Sequence, residues 1–350
     1  MITSNHNNSQ PFISEIRIST NLSPNPEFAK NPEKFVYSRN WDHIHCMPPE
    51  TSFTTDYKSQ KKLVKQKSNI GIGHDNPITF FLEDDGRPCI TSIKIEPLEI
   101  LQASYDKNHN SSDYLHEALS IMQSQVTPLL ESSVDAQKMI PSSASNKDCS
   151  YFSKLEVKAF HKDIKVHYLH HLSHPLTGSA EGATKTRIQL VSRPKDFSIL
   201  FKDEKWHELE NGRLIPCEGI AVTLTLKKAE LARQFPVSAI RRMGATNRVV
   251  NLTVDDASNI YGRLMSQLEG IYLPLPLEWM TMGKRITSAK AIALYSKATR
   301  IPVTEMINWD QEIRNPSKST IDRLNKDTAA ALAVMKEIPV AQLFSPSDKA

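Results

Sequence analysis

The 350-residue sequence predicts an α+β protein in which a strand-rich segment is followed by a helical one. Between residues 151 and 285, short runs of β-branched and aromatic residues alternate with polar turns. After Met282 the apolar residues recur at helical spacing in three segments, each opened by a Ser or Thr that can cap a helix. We therefore expect a strand-rich domain at residues 151–285 and a helical extension at residues 286–350.

Composition limits the class of protein further. Apolar residues make up 39% of the chain and charged residues 23%, as in a soluble globular protein. The sequence contains no run of about 18 apolar residues, so a membrane-spanning helix is not expected. The N-terminus lacks a secretory signal pattern. The net charge of +4 permits a nucleic-acid or lipid partner without requiring one. The cysteines lack metal or disulfide spacing and are expected to be free thiols: Cys46, Cys89, Cys149 and Cys217.

Residues 1–30 are rich in Ser, Asn and Pro and have few bulky apolar residues, which predicts a disordered leader. Leaders of this composition are similar to the uncleaved secretion signals of bacterial effectors that are delivered into host cells. A plain disordered terminus is the alternative. Residues 58–69 contain five lysines and are expected to form a solvated loop or helix face.

Residues 31–131 are predicted to form an N-terminal accessory region. The runs "ITFFLED" and "DGRPCITSIKIEPLEI" indicate two strands around an Asp-Gly turn. Residues 113–130 indicate a helix that stops near Pro128, because its apolar residues follow helical spacing: Leu115, Ala118, Leu119 and Met122.

The serine-rich residues 132–150 predict a linker to the domain at residues 151–285. In that domain one helix is expected at "KKAELARQF". Strands are expected at five runs: "KVHYLHHL", "RIQLVSR", "GIAVTLTL", "NRVVNLTV" and "GIYLPLPL".

Five histidines lie within fourteen residues: His161, His167, His170, His171 and His174. On a helix, pairs one turn apart would chelate a divalent cation, and a metal-dependent hydrolase would follow. On a strand, the histidines would occupy the wet side of a half-exposed sheet. No nearby carboxylate completes a metal site, so the strand is the preferred interpretation, and no metal is expected.

Three further pieces occur in chain order. Arg193 ends a strand-like run, Thr223 and Thr225 lie two apart in the next, and Gln267 and Glu269 precede an apolar, proline-containing run. Together they resemble the arginine–serine–glutamate class of mono-ADP-ribosyltransferases. In that class a strand-terminal Arg, a Ser-Thr-Ser strand and a Glu/Gln-x-Glu loop line one NAD cleft. The resemblance covers roughly residues 160 to 280.

The resemblance implies a split mixed β-sheet that binds NAD as cofactor. Glu269 would stabilise the oxocarbenium charge that develops on the ribose and would hold its 2′-hydroxyl. Gln267 would orient the acceptor group of a protein substrate. Arg193 would bind the NAD phosphates through its planar guanidinium. Thr223 and Thr225 would position Glu269 and the nicotinamide end.

Two details qualify this match. Arg187, at the opposite end of the same strand, is the second candidate for the phosphate contact. Thr-Leu-Thr replaces Ser-Thr-Ser but keeps two hydroxyls on one strand face. The predicted function is the transfer of ADP-ribose from NAD to a protein. The predicted location is the host cytoplasm, into which the chain would be secreted as an effector; the alternative location is the cytoplasm of the cell that makes it. The expected partners are a protein substrate and, where the class requires one, a host activating factor.

The C-terminal helices offer a different function. Residues 293–326 resemble a helix-turn-helix DNA-binding unit, with a short turn at Ile301-Pro302. The second helix would be acidic, whereas a helix that reads DNA needs basic or amide side chains toward phosphates and bases. A DNA-binding or interaction protein without enzymatic activity is therefore the alternative to the transferase.

Overall fold

The computed structural model of the chain describes most of its residues. The described residues are 3–4, 10–31, 44–46, 50–55, 62–72, 76–84, 86–104, 114–142, 150–162, 165–166, 169, 180–184, 186–191, 196–210, 213–243, 246–266, 272–275, 289–290, 292–293, 296, 302–303, 317–334, 336–339 and 344.

The strands of the described residues are numbered in chain order. They are β1 Thr3–Ser4, β2 Phe12–Leu22, β3 Ile44–Cys46, β4 Glu50–Thr55, β5 Lys62–Ile72, β6 Ile78–Asp84, β7 Cys89–Ile95, β8 Tyr151–Lys162, β9 Ala180–Thr184, β10 Arg187–Val191, β11 Phe197–Glu210, β12 Arg213–Lys227, β13 Ile240–Met243, β14 Thr246–Val249, β15 Tyr272–Leu275 and β16 Lys336–Pro339.

The α-helices are α1 Pro26–Lys30, α2 Pro97–Ser104, α3 Tyr114–Val126, α4 Ser133–Met139, α5 Lys228–Gln234, α6 Asp255–Met265 and α7 Lys318–Val334. Short 3-10 helices span Thr127–Leu129 and Val237–Ala239. None of the helices in the described part of the chain is long and apolar enough to cross a membrane.

Fourteen strands belong to one large sheet, and the chain is α+β. The order of the main path is β3-β5-β6-β7-β2-β8-β12-β11-β10-β9. Its described pairings are antiparallel, and β1 adds to β11 in parallel. β2 lies in the middle of this path, with β7 on one side and β8 on the other. β15 and β16 form a separate two-stranded sheet.

Successive side chains of a strand point to opposite faces, so the central strands divide the sheet into two unlike sides. One side, the core face, is apolar and buried, and it includes Ile16, Ile18, Ile93, Ile95, Leu155, Val157, Ala159, Val222, Leu224, Ile199 and Phe201. The other side, the polar face, carries alternating charges and hydroxyls: Lys94, Glu15, Arg17, Lys154, Glu156, Lys158, Thr223, Thr225, Lys202 and Glu204. The buried residues of the helices belong to the same hydrophobic cluster as the core face.

Helix α6 shows how this packing is fixed. Ala257, Ile260, Tyr261 and Met265 are buried at helical spacing, so one stripe of the helix faces the sheet. Tyr261 is fully buried, and its hydroxyl lies 2.8 Å from Nε2 of His161 on β8. Because His161 is in phase with Val157 and Ala159, this contact places α6 on the core face.

The sequence predicts several of these elements correctly. The predicted strands around the Asp-Gly turn are β6 and β7, and the helix ending near Pro128 is α3. The "RIQLVSR" and "GIAVTLTL" runs lie in β10 and β12, and "KKAELARQF" contains α5. Cys89 and Cys217 are free thiols, as expected. The side chains of Cys46 and Cys149 lie outside the description.

The disordered leader is corrected over residues 10–31, where the structure has β2 and α1. Ile13, Ile16 and Ile18 are fully buried in the centre of the sheet. A β-bulge between Ile13 and Glu15 inserts a residue in the strand, so the apolar residues do not alternate strictly in the sequence. Composition therefore predicts disorder in a segment that in fact forms the central strand β2.

The predicted boundary at residues 132–150 does not divide the sheet, because β2, β6 and β7 continue directly into β8 and β12. Residues Ser133–Met139 within the predicted linker form α4, which Ser132 caps through a hydrogen bond from the Val134 amide. Similarly, part of the lysine-rich run lies in β5, which pairs with β4 and β6.

The strand predicted at "KVHYLHHL" is also corrected. Its described residues Lys165, Val166 and Leu169 are not in a strand. Val166 and Leu169 are buried three residues apart, and the Val166 amide donates to the Asp203 side chain rather than to a neighbouring strand. His161 lies on β8 but is buried, not on a wet side. The other four histidines of the run lie outside the described residues.

Candidate functional site

A pocket of about 240 Å³ opens on the polar face where β2, β8 and β12 lie side by side. The start of α2 closes one end of it. The lining residues are Phe12, Ser14, Glu15, Glu96, Leu98, Glu99, Glu156, Lys158 and Thr223. Since pockets for whole small molecules usually measure about 300–1,000 Å³, this volume suits one part of a ligand, such as a sugar ring or an amino-acid side chain.

Strand register brings the polar residues together. Glu156 on β8 lies opposite Glu15 on one side and Thr225 on the other. Lys158 lies opposite Thr223 in the next row of the same face. These rows are continuous because the three strands are hydrogen-bonded neighbours.

Lys154 links two of the carboxylates. Its Nζ lies 2.7 Å from Oε1 of Glu15 and 2.6 Å from Oε1 of Glu156, and all three side chains are about four-fifths buried. Burial alone would lower the pKa of Lys154, but the two carboxylates outweigh it and raise the pKa. Lys154 therefore stays charged and fixes both glutamates at the edge of the pocket.

A second group of ion pairs surrounds Lys158. Nζ of Lys158 lies 2.7 Å from Oε2 of Glu204, and Lys202 contacts the other oxygen of Glu204 at 3.1 Å. Burial tends to raise the pKa of Glu204, but the two lysines outweigh it and lower the pKa. The ammonium of Lys158 also lies 4.8 Å from the centre of the Phe160 ring. Lys158 is thus held between an acid and an aromatic ring.

The two predicted threonines meet this site. Thr225 Oγ1 donates a hydrogen bond of 3.2 Å to Oε1 of Glu156, and Thr223 lines the pocket two residues earlier on the same face. The expectation of two hydroxyls on one strand face is therefore met by the structure. Thr223 lies opposite Lys158 and Thr225 contacts Glu156, and the sequence alone singles out neither of these two partners.

The lining is acidic. Four carboxylates border the pocket, from Glu15, Glu96, Glu99 and Glu156, against the single ammonium of Lys158. Lys94 pairs with Glu96 at 2.7 Å from outside the lining. Because Lys154 and Lys94 already pair with three of these carboxylates, only a small net negative charge remains, and it favours a cationic or hydroxyl-rich group over an anion.

Arg193, Gln267 and Glu269 lie outside the described residues, so the predicted set cannot be assembled as a whole. β10 ends at Val191, two residues before Arg193. Val191 pairs with Ser198, and Ser198 pairs with Thr225, so this end of β10 is level with Thr225 and two strand spacings, about 10 Å, away.

Arg187 lies at the opposite end of β10, level with Lys202. It is exposed, and its Nη2 donates to the Gln189 side chain at 3.0 Å. Its place on the sheet is therefore further from Thr225 than the end of β10 that leads to Arg193.

Gln267 and Glu269 follow α6, which packs on the core face, whereas Thr223 and Thr225 point to the polar face. The strand expected after Glu269 exists as β15, but it pairs with β16 rather than with the main sheet. The carboxylate that Thr225 contacts in the described residues is Glu156.

The charged residues of β8 at this site follow a pattern that the sequence already contains. In "YFSKLEVKAFHK" the charged residues Lys154, Glu156 and Lys158 alternate with Leu155, Val157 and Ala159. This period of two is typical of a strand with one buried and one polar face. Glu15, which lies opposite Glu156 on β2, is in the segment expected to be disordered.

In the part of the chain that the structure describes, no group of three or more His, Cys, Asp or Glu side chains is placed to hold a metal ion. His161 instead makes its contact with Tyr261 in the core. No protein-family model and no curated protein matches this chain.

Proposed function

We propose that the chain is a mono-ADP-ribosyltransferase in which the polar-face pocket receives the nicotinamide riboside end of NAD. The observation that carries the proposal is the hydrogen bond from Thr225 to Glu156 beside a pocket of sugar-ring size. The resemblance of the Arg193, Thr223–Thr225 and Gln267–Glu269 pieces to the transferase class is its second support.

The chemistry of the lining agrees with this ligand. The nicotinamide ring of NAD is cationic, and four carboxylates border the pocket. When the bond from ribose C1′ to the nicotinamide nitrogen breaks, the electron pair leaves with nicotinamide and positive charge develops on the ribose. A fixed carboxylate stabilises that charge more in the transition state than in the ground state. The acceptor side chain then forms a bond to C1′, and the proton that it loses passes to solvent water.

Glu156 is suited to be this carboxylate, because Lys154 and Thr225 both contact its Oε1 and fix its position. Glu269 remains the prediction made from the sequence. The two carboxylates are separable by mutation, so the experiment compares them directly.

The NAD diphosphate is disfavoured in an acidic pocket and would lie outside it. The end of β10 that leads to Arg193 is level with Thr225 and about 10 Å away. This direction supports the predicted role of Arg193 as the phosphate ligand.

The test uses NAD labelled in its ADP-ribose part, the full chain and a lysate of eukaryotic cells. We expect labelled proteins with the unaltered chain and at least about a 100-fold loss of label in Glu156→Gln. Glu218→Gln is the matched control, because Glu218 is an exposed glutamate of β12 outside the pocket. Its activity should equal that of the unaltered chain.

Glu269→Gln is the comparison variant. If Glu269→Gln abolishes transfer and Glu156→Gln does not, the carboxylate role belongs to Glu269 and the pocket assignment is wrong. If the unaltered chain transfers no label, the transferase proposal fails.

A second candidate follows from the same four carboxylates. An acidic pocket of this size also accepts the lysine or arginine side chain of a partner protein, which would make the chain an interaction protein without enzymatic activity. Binding of a fluorescent arginine-rich peptide tests this candidate. Binding should weaken with salt and be lost in Glu15→Gln/Glu99→Gln, and an unchanged affinity in that variant contradicts it.

The DNA-binding alternative stays a prediction, because residues 304–316 of the proposed helix-turn-helix lie outside the described residues. Delivery into a host cell also stays a prediction from the composition of residues 1–30, although Phe12–Leu22 and Pro26–Lys30 form β2 and α1 rather than a disordered leader.

A further inference from the structure

A second pocket lies at the start of β8, where that strand changes partner. β12 pairs with β8 from Lys162 to Lys154, and β14 pairs with it at Phe152. Between the two, β12 gives way to helix α5, which leaves a gap in the sheet. The gap holds a pocket of about 720 Å³, here called the α5–β14 pocket.

Its lining differs from that of the polar-face pocket. The lining comes from the start of β8, from α5, from β14 and from Asp196 just before β11: Tyr151, Phe152, Ser153, Asp196, Lys228, Ala229, Ala232, Arg233, Thr246, Asn247, Arg248 and Val249. Three of these are cations and one is an anion, so the lining is net positive. The volume is within the range of pockets that hold a whole small molecule.

The cations are only partly neutralised. Lys228 Nζ is 3.9 Å from Asp196 Oδ1, which is a weak pair, and its side chain is 80% exposed. Arg233 pairs with Glu230 at 2.7 Å, and its side chain is 70% exposed. Both can therefore turn toward a phosphate at little cost.

Arg248 supplies a flat surface. Its guanidinium carbon lies 4.3 Å from the centre of the Tyr151 ring, so the guanidinium is held against the aromatic face. A stacked guanidinium presents its other face to planar ligands, as in the recognition of nucleic-acid bases. Ser153, Thr246 and Asn247 add hydrogen-bonding groups for hydroxyls and ring edges.

The backbone at Lys228 is unusual. Lys228 has a positive φ of 47°, which is rare for a residue with a side chain. Such conformations are costly and cluster at ligand-binding sites. Here the conformation lies at the turn from β12 into α5, where the side chain enters the lining of the pocket.

We propose that the α5–β14 pocket binds a mononucleotide. Lys228 and Arg233 contact the phosphates, and the base stacks on the guanidinium of Arg248. The site is separate from the polar-face pocket, and it does not depend on the transferase proposal. One pocket lies at the start of β8 and the other at its middle, and their linings have opposite charge.

The test measures binding of ATP to the full chain by calorimetry, with adenosine and tripolyphosphate as the two halves of the probe. We expect ATP to bind more tightly than either half, because the base and the phosphates contact different residues. Lys228→Gln/Arg233→Gln should weaken ATP binding at least about tenfold. Arg248→Gln should weaken ATP but not tripolyphosphate.

The matched control is Lys205→Gln/Arg213→Gln, which removes the same charges at exposed positions outside the pocket. It should bind ATP within about twofold of the unaltered chain. Circular dichroism and thermal melting confirm that each variant is folded. Glu156→Gln should leave ATP binding unchanged, so failure of the transferase proposal is distinguishable from failure of this one.

Two results overturn the proposal. One is the absence of ATP binding by the unaltered chain. The other is equal affinity for ATP and tripolyphosphate together with no effect of Arg248→Gln, which would mean that the pocket is a patch for anions only.

Discussion

The Tyr261 hydroxyl and Nε2 of His161 lie 2.8 Å apart in the core, and they join helix α6 to strand β8. The two rings are also stacked, and Phe344 packs edge-on against His161. Burial lowers the pKa of His161 to about 4. A histidine that stays neutral in the fold but takes up a proton when unfolded makes stability depend on pH.

The sign of this dependence follows from the lowered pKa. The contribution of His161 is complete above the unfolded pKa of about 6.5 and is lost as the pH falls from there toward 4. Its size is on the order of 3 kcal/mol. Urea unfolding at several pH values between 4 and 7 measures it.

His161→Gln is the control for this prediction. Glutamine keeps a hydrogen-bonding group near Tyr261 but does not titrate, so the variant should lose most of the pH dependence over this range. An equal loss of stability on acidification in both proteins would assign the dependence to other groups.

Lys154 should make a large contribution to the stability of the polar face. Lys154→Met leaves the buried carboxylates of Glu15 and Glu156 side by side without their cation, and the free energy of unfolding should fall by about 3 kcal/mol. Denaturant unfolding measures the change. Lys205→Met removes an exposed lysine of β11 and should cost less than about 0.5 kcal/mol.

A double-mutant cycle tests the cause of that loss. Lys154→Met/Glu156→Gln should recover part of the stability, because one of the two uncompensated charges is gone. If the double variant is as unstable as the sum of the two single variants, Lys154 does not act through Glu156.

The Thr225 hydroxyl should matter more than its methyl group. Thr225→Val removes the hydrogen bond to Glu156 and should cost about 1 kcal/mol of stability, while Thr225→Ser keeps the hydroxyl and should cost less. Thermal unfolding compares the two variants. A larger loss in Thr225→Ser than in Thr225→Val would show that β-propensity, not the hydrogen bond, is the dominant contribution of this residue.

Two glycines should respond in opposite ways to alanine. A Cβ on Gly219 would overlap the carbonyl oxygen of His161 on the neighbouring strand, so Gly219→Ala should destabilise the protein by about 2 kcal/mol. A Cβ on Gly262, on the exposed side of α6, meets no atom within 4 Å. Gly262→Ala should stabilise the protein by about 0.5–1 kcal/mol. Equal effects in both variants would contradict the packing of β8 against β12.

The sequence predicts elements well where a single periodicity covers the whole element. α3, β6, β7, β10 and β12 are of this kind. The sequence does not predict helix α6 although its buried residues follow helical spacing, because polar residues precede and separate them: Asp255, Asp256, Ser258 and Asn259. The order of strands in the sheet is set by long-range pairing, and no local pattern contains it.

The candidate site illustrates the same limit. Thr223 and Thr225 could be placed on one strand face from their spacing alone. Glu15 and Glu156 are 141 positions apart in the chain, and only the register of β2 against β8 makes them neighbours. The bulge near Ser14 sets that register, and a bulge is not predictable from composition.

The middle position of β2 has a consequence for how the molecule comes apart. Apart from the two-residue strand β1, which pairs with β11, the strands before residue 100 and those after residue 150 meet through β2, whose hydrogen bonds go to β7 on one side and β8 on the other. Neither group can complete its sheet without this shared strand. We therefore expect the described sheet to unfold in one cooperative transition rather than in two steps. Removal of residues 1–22 should unfold both groups of strands together.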